Sequence, residues 1–315
     1  MKAKTRHILL TTFVVLAGAS LGCMIAVLPF GAIAVTYEVI TKKLHGDAPY
    51  CGWFDVLSTN FRAAQRLHQE PISVRTLRSD PSGRFELVGS GAREFWLPAS
   101  GGDLPPAQLL GFLLTEQYRF QTSQPQFLPR KGDIVLDCGA HVGTFTDLAL
   151  RLGAAKVVAV EPEPSNLECL RRNFVAEIAS GRVVPLQLGV WDSPGTLSLK
   201  VGASNSGMNS AVLSYEGETI QIRVSTIDQV VADLGLPRVD YIKIDIEGAE
   251  KNALQGARAI LNKYKPRLFV ESVHYKNEAA ELIETVKSLA SYKTCATGPC
   301  SRKFETFIPL YVAWE

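Results

Sequence analysis

The chain has 315 residues, with 33 Lys and Arg against 31 Asp and Glu. That length can bury a substantial core in one large or two modest domains. The balanced charge, with no basic cluster interleaved with aromatics, lacks the one-sided basic footprint of a nucleic-acid binder, so no nucleic-acid partner is expected. The six cysteines, Cys23, Cys51, Cys138, Cys169, Cys295 and Cys300, show neither the paired spacing nor the neighbouring histidines of a zinc site, and no metal is expected. Cys295 and Cys300 alone are close enough in sequence to suggest a local disulfide.

From Ile8 to Tyr37 no side chain is charged, and Lys2, Lys4 and Arg6 precede the run. It exceeds the roughly 20 residues that a bilayer requires. The expectation is one membrane-spanning helix within an anchor over residues 1–40. Ala32-Ile33-Ala34 leaves a cleaved signal peptide as the alternative, against which stands an apolar run longer than the usual ~7–15 residues. A stalk or linker follows over 41–71, with Phe54, Val56, Leu57, Phe61 and Leu67 at loosely helical spacing.

Residues 72–130 read as a β-hairpin and helical lead-in. The runs V-R-T-L-R and R-F-E-L-V are broken by Asp80-Pro81-Ser82-Gly83 and Gly89-Ser90-Gly91, which are hairpin signals. A Gly/Pro-rich link then leads into a helix from Ala107 to about Phe120.

Over residues 131–315 strand and helix alternate: strand 134–138, helix 143–152, strand 156–160, helix 164–178 and strand 182–188. The interval from Gly195 to Val224 interrupts this with three further strand-like runs, T-L-S-L-K-V, S-A-V-L-S-Y and I-Q-I-R-V. Alternation resumes with strand 239–246, helix 249–262, strand 267–273, helix 277–290 and a strand pair near 292–296 and 306–313. This predicts an α/β fold, a mostly parallel sheet with helices on both faces and a β insertion.

Gly139, Ala140 and Gly143 form the turn from first strand to first helix, where glycines let the backbone approach a ligand. Glycines alone do not separate a dinucleotide from another cofactor. Asp137 does: its charge would repel a pyrophosphate but suits the ammonium and sulfonium of S-adenosylmethionine. Glu161, at the tip of the second strand, is expected to accept the ribose hydroxyls. Asp192, after the third strand, is a candidate adenine contact, or simply part of the turn Asp192-Ser193-Pro194-Gly195.

Strand alternation through Y-I-K-I-D-I-E-G-A-E would put Lys243, Asp245 and Glu247 on one side and Ile242, Ile244 and Ile246 on the other. Charges there are costly unless paired or lining a cavity. Asp245 and Glu247 are therefore expected in the pocket, and Lys243 as a catalytic group or buried ion-pair partner. Glu271 and His274 emerge at the same sheet edge, His274 being the candidate general base. Asn205, Ser206, Asn209 and Ser210 offer polar contacts for a polyhydroxylated acceptor or simply a solvated loop.

V-L-D-C-G-A-H-V-G-T-F, V-E-P, D-Y-I-K-I-D-I-E-G-A-E and V-E-S-V-H resemble the FkbM family of S-adenosylmethionine-dependent methyltransferases, over roughly residues 85–312. The resemblance implies a class I methyltransferase, Rossmann-like fold, with a seven-stranded sheet whose last strand is antiparallel. It also implies O-methylation of a sugar, glycolipid or secondary-metabolite hydroxyl, with Asp137, Gly139 and Glu161 holding the donor and Asp245 and Glu247 facing donor and acceptor. An NAD-dependent oxidoreductase and a catalytically silent membrane-anchored module are the alternatives. The basic residues flanking the apolar run favour, by one charge, a globular part outside the cell. A methyl donor made in the cytosol argues for a cytoplasmic catalytic domain, which is the expectation adopted.

Overall fold

The computed structural model describes residues 72–315 except 100–103, 124, 203–205, 208, 214–216, 299, 304–305 and 310. The expected anchor and stalk, and Asn205, lie outside the described residues. Among the described residues no helix is long and apolar enough to cross a membrane.

The chain enters through an antiparallel three-stranded sheet, β1 (Arg75–Ser79), β2 (Phe85–Ser90) and β3 (Arg93–Pro98), followed by α1 (Pro106–Ser123) and a 3-10 turn at Pro125–Phe127. Asp80 closes the first turn by accepting from the backbone N–H groups of Arg84 and Phe85. Phe85, Val88, Phe95 and Leu97 pack with Leu109, Leu110 and Leu114 of α1, and with Val142 and Cys169 of the following domain. Asn173 locks this contact: its Oδ1 accepts from Trp96 N at 2.6 Å, and its Nδ2 donates to Val142 O at 2.9 Å.

The central layer begins with β4 (Ile134–Cys138), α2 (Thr144–Arg151), β5 (Lys156–Val160), α3 (Pro164–Asn173), α4 (Val175–Ala179) and β6 (Val183–Leu186). The insertion carries β7 (Gly189–Val190), β8 (Gly195–Lys200) and β9 (Thr219–Ser225), which form a separate three-stranded sheet. After α5 (Ile227–Asp233) come β10 (Tyr241–Ile244), α6 (Glu250–Gln255), α7 (Arg258–Tyr264), β11 (Arg267–Glu271) and α8 (Glu278–Leu289). The chain closes with β12 (Cys295–Thr297), a hairpin of β13 (Cys300–Lys303) and β14 (Thr306–Pro309), and β15 (Tyr311–Trp314). The main sheet has seven strands in the order β12-β15-β11-β10-β4-β5-β6. β15 runs antiparallel to both neighbours, as the class I methyltransferase fold implies. All residues of β4 and β10 are buried, as expected of central parallel strands covered on both faces.

Several expected elements differ. Helix 164–178 breaks at Phe174, whose backbone leaves the helical region at φ −126°, ψ 36°. The break lets its ring pack over Gly143, where an added Cβ would lie 2.3 Å from Phe174 Cε2. Helix 249–262 breaks after Gln255 because Asp228 accepts from Ala259 N and Ile260 N, giving α7 its own amino-terminal cap. The insertion's middle run is not a strand over its described residues. Ser210 alone bridges to Lys200, and its hydroxyl accepts from Val212 N and Leu213 N, turning the chain in competition with a ladder. Strand 239–246 is shorter than expected: β10 stops at Ile244, and Glu247 and Gly248 take φ of 57° and 100°. Cys138 and Cys169 are buried free thiols and Cys295 is an exposed one, so Cys295 does not form the local disulfide that its spacing from Cys300 allowed as the lesser alternative to incidental thiols.

Candidate active site

The turn after β4 is built on positive φ at Gly139 (76°), His141 (51°) and Gly143 (93°). Gly139 needs more than conformational freedom. A Cβ there would lie 1.8 Å from Asp245 O, so the ends of β4 and β10 meet backbone to backbone.

Asp137 and Lys243 are cross-strand partners in the register of β4 and β10. Asp137 is fully buried, accepts from Thr146 Oγ1 at 2.7 Å and lies 3.5 Å from Lys243 Nζ. Burial raises its carboxyl pKa, against the pull of Lys243. Lys243 donates to Gly139 O at 2.7 Å and lies 3.2 Å from Asp245 Oδ2. Burial works against its charge, but the Asp245 and Asp137 carboxylates outweigh it and raise its pKa. Asp137 thus lies beneath the turn and does not line the cavity, a correction to its expected contact with the donor. Its charge acts on Lys243, which braces Gly139 and Asp245. Held protonated, Lys243 is an organising ion-pair partner.

Glu161 follows β5 and is only 5% exposed. Its carboxylate accepts from His141 N at 2.9 Å, Glu163 N at 3.0 Å and Asn166 Nδ2 at 3.4 Å. Burial dominates these bonds and raises its pKa to about 7. Asn166 also reaches Ser206 O at 2.9 Å, while His141 Nε2 is 2.8 Å from Ser206 Oγ. Burial and then the Lys243 charge push His141 down to about 4, so its ring is neutral.

Opposite stand Asp245, Glu247, Glu271 and His274. Burial raises the Asp245 carboxyl, but Lys243 and a hydrogen bond from Glu271 overcome this and bring it to about 2. Glu271 goes the other way, raised by burial and by the Asp245 charge, so Glu271 keeps the proton that the pair shares. His274 Nδ1 is 3.1 Å from Glu278 Oε1, and its backbone N–H donates to Glu278 Oε2 at 2.7 Å. Nε2 lies 3.3 Å from Glu271 and 3.6 Å from Glu247, and Nδ1 lies 3.6 Å from Glu250. Burial lowers the ring's pKa, but Glu271, Glu278 and Glu250 outweigh it and raise it to about 12. A ring that holds its proton so tightly is not the expected general base. Glu247 faces the cavity, though from the turn after β10; Ser210 Oγ donates to its carbonyl at 2.6 Å.

These walls enclose a cavity of about 490 Å³. Gly139, His141, Glu161, Asn166, Ser206, Asn209, Asp245, Glu247, Glu271 and His274 reach it, and Leu188, Val190 and Trp191 give it an apolar side. Ala140 instead packs into the core with Ala159 and Phe174, and Gly143 caps α2; neither lines the cavity. Asp192 does not line it either. Its carboxylate accepts from Asn252 Nδ2 at 2.6 Å, which pins a turn and corrects the expected adenine contact. Ser210 is fully buried and absent from the cavity wall.

Residues 137–293 match the methyltransferase FkbM domain. The chain thus contains a methyltransferase FkbM domain. Among curated relatives, it is 31% identical to the 31-O-demethyl-FK506 methyltransferase FkbM of Streptomyces tacrolimicus, over 40% of this chain and 60% of the relative. It is 30% identical to the hexuronic acid methyltransferase AglP of Haloferax volcanii, over 39% of this chain and 49% of the relative. The chain thus spans about half to three fifths of the length of these relatives. A solved structure of methyltransferase FkbM from Methylobacillus flagellatus is also similar, with 19% identity, 66% of this chain and 54% of that chain covered, and a TM-score of 0.43.

The FkbM segment contains every charged wall residue from Glu161 to His274, but not α1. Leu109, Phe112 and Leu113 of α1 add an apolar stretch to the cavity wall from outside the matched segment. Sequence reasoning assigned no role to His141, Asn166, Trp191, Glu250 or Glu278. The spacing of His274 and Glu278 was a usable signal, since a carboxylate in a helix's first turn stands close to the residues just before it.

Proposed function

We propose that this chain is an S-adenosylmethionine-dependent O-methyltransferase acting on a hydroxyl of a sugar, glycolipid or secondary metabolite. The observation that carries this reading is one cavity with Glu161 beside the Gly139 turn on one wall and Asp245 at the end of the neighbouring strand on another. The cavity residues fit the donor. Glu161 offers a carboxylate to a ribose diol, Leu188, Val190 and Trp191 flank space for a base, and Gly139 keeps a Cβ out of the turn. When bound, the donor supplies an electrophilic methyl group on a sulfonium.

The chain's own contribution is chiefly orientation. Asp245, kept ionised by Lys243, accepts a hydrogen bond from the acceptor hydroxyl and aligns its oxygen with the methyl carbon. Lys243 keeps Asp245 and the Gly139 carbonyl in fixed relation. The relative named for a 31-O-demethyl compound supports an oxygen acceptor, and the one named for hexuronic acid supports a sugar-derived acceptor. The uncharged run from Ile8 to Tyr37 supports a single-pass membrane anchor, and a methyl donor made in the cytosol supports a catalytic domain on the cytosolic side.

Calorimetric titration of the purified chain with S-adenosylmethionine and, separately, with NAD tests the reading. Binding of the first alone is expected; binding of NAD alone, or of neither, overturns it. Transfer of a labelled methyl group to fractionated acceptor extracts then identifies the acceptor class.

A further inference from the structure

We propose that Asp245, Glu271 and His274 form a site for a hard divalent cation, magnesium or manganese, on the cavity wall. One ligand atom from each lies within 4.8 Å of the others. Octahedral coordination at about 2.1 Å puts neighbouring ligands about 3.0 Å apart, and His274 Nε2 stands 3.3 Å from Glu271 Oε2.

The histidine supplies an independent observation. It is 8% exposed, and its buried Nε2 makes no hydrogen bond but faces Glu271 Oε2 at 3.3 Å and Glu247 Oε2 at 3.6 Å. Glu278 meanwhile holds both Nδ1 and the backbone N–H, fixing the ring. A carboxylate on one imidazole nitrogen, with the other aimed at two carboxylates, is the outer-shell arrangement of a metal-binding histidine. Local charge points the same way. Asp245, Glu271 and Glu247 converge on this wall, and Lys243, 3.2 Å from Asp245, already serves Asp137 at 3.5 Å.

Two carboxylates and one imidazole without thiolate favour magnesium or manganese over soft metals, and the cation binds in exchange for the protons that His274 and Glu271 hold in its absence. The side chains of Asp245 and Glu271 are 35% and 32% exposed, so a cation there keeps positions open to the cavity. The second cluster, Glu250, His274 and Glu278, is buried throughout and offers no such opening. Resting on the proposed methyl transfer, the open positions would take the acceptor hydroxyl and lower its pKa, the task that His274 as a base would otherwise have performed. The hydroxyl proton leaves to cavity water as the O–CH3 bond forms and the S–CH3 bond of the sulfonium breaks to a thioether.

The test is manganese titration of the full chain, without donor or acceptor, followed by the electron paramagnetic resonance signal of free Mn²⁺. One ion per chain is expected, with at least tenfold weaker binding in E271Q and in D245N and unchanged binding in D192N. H274Q should weaken it equally, and the partly exposed Glu271 keeps the test decisive if that variant does not fold. Manganese left free, or bound equally by E271Q and D245N, overturns the site. Methyl transfer undiminished by EDTA overturns its role while leaving the methyltransferase reading intact. Failure of donor binding with manganese still bound removes the methyltransferase reading and leaves the site.

Discussion

The backbone N–H of His141 donates to Glu161 Oε2 across 2.9 Å, joining the glycine turn after β4 to the tip of β5. Glu161 is therefore both a ligand candidate and a structural clasp for the turn. Burial places its pKa at about 7. Hydroxyl donors of a bound ribose favour the ionised form, so donor affinity should be constant above pH 7 and fall below it. At pH 6 the expected loss is about tenfold, one pKa unit of protonation. Calorimetry from pH 5.5 to 8.5 checks this. Glu161→Ala should weaken binding by about 10- to 100-fold, the weight of hydrogen bonds to a charged group, and abolish the pH dependence.

The Asp137–Lys243 pair yields a stability prediction. Lys243→Met leaves Asp137 buried beside an apolar chain, and breaking such a pair costs about 3–5 kcal/mol. Asp137 would then have a folded-state pKa well above its unfolded value. A raised acid binds its proton more tightly when folded, so the variant should regain stability as pH falls toward 5. Urea denaturation of the single and double variants, with Asp137→Asn added to Lys243→Met, should show the second change recovering much of the loss. Additive losses would mean that the two groups do not act as a pair.

Sequence pattern revealed the sheet, since fully apolar runs such as Val157–Val160 leave little choice of element, and it revealed the cavity, since Glu161 and Asp245 stand at strand ends. It failed where a local detail ended a period. Alternation was carried past Ile244 to Glu247, but positive φ at Glu247 turns the backbone out of the strand. Phe174 and Asp228 cut helices that look continuous by apolar spacing, one for packing on Gly143 and one through a cap made from a distant segment. Charge was legible at Asp137, but its partner was not, because the register that sets Lys243 beside it is a tertiary fact. The carboxylates around His274 come from three segments distant in sequence, which no local pattern joins.

Gly139→Ala should be among the most damaging single-methyl additions. The new Cβ would lie 1.8 Å from Asp245 O on a residue at φ 76°, so both the turn and the end of β10 must move. Donor binding should be lost and the unfolding midpoint lowered, by calorimetry and thermal denaturation respectively. An alanine variant with native donor affinity would show that the turn yields without disturbing Asp245.

Asp192 and Trp191 are adjacent but should behave differently. Asp192 bonds Asn252 away from the cavity, whereas Trp191 lines it. Asp192→Ala should cost about 1 kcal/mol of stability through one lost hydrogen bond and change donor affinity less than twofold. Trp191→Ala should weaken donor binding at least tenfold. Equal effects on affinity would restore Asp192 as a ligand contact.

Phe112 lies on α1, 59% exposed, yet reaches the cavity wall beside Leu109 and Leu113. Under the proposed function, an acceptor with an apolar body entering this cavity would meet the ring. Phe112→Ser should leave the urea midpoint unchanged, since little buried area is lost. It should raise KM for acceptors carrying a lipid or macrocyclic body about tenfold, with kcat and donor affinity preserved, because Asp245 and Glu161 lie on other elements. A truncated acceptor lacking the apolar body should be methylated equally by both proteins. A fall in kcat for both acceptors would instead make α1 part of the framework that orients the reacting groups.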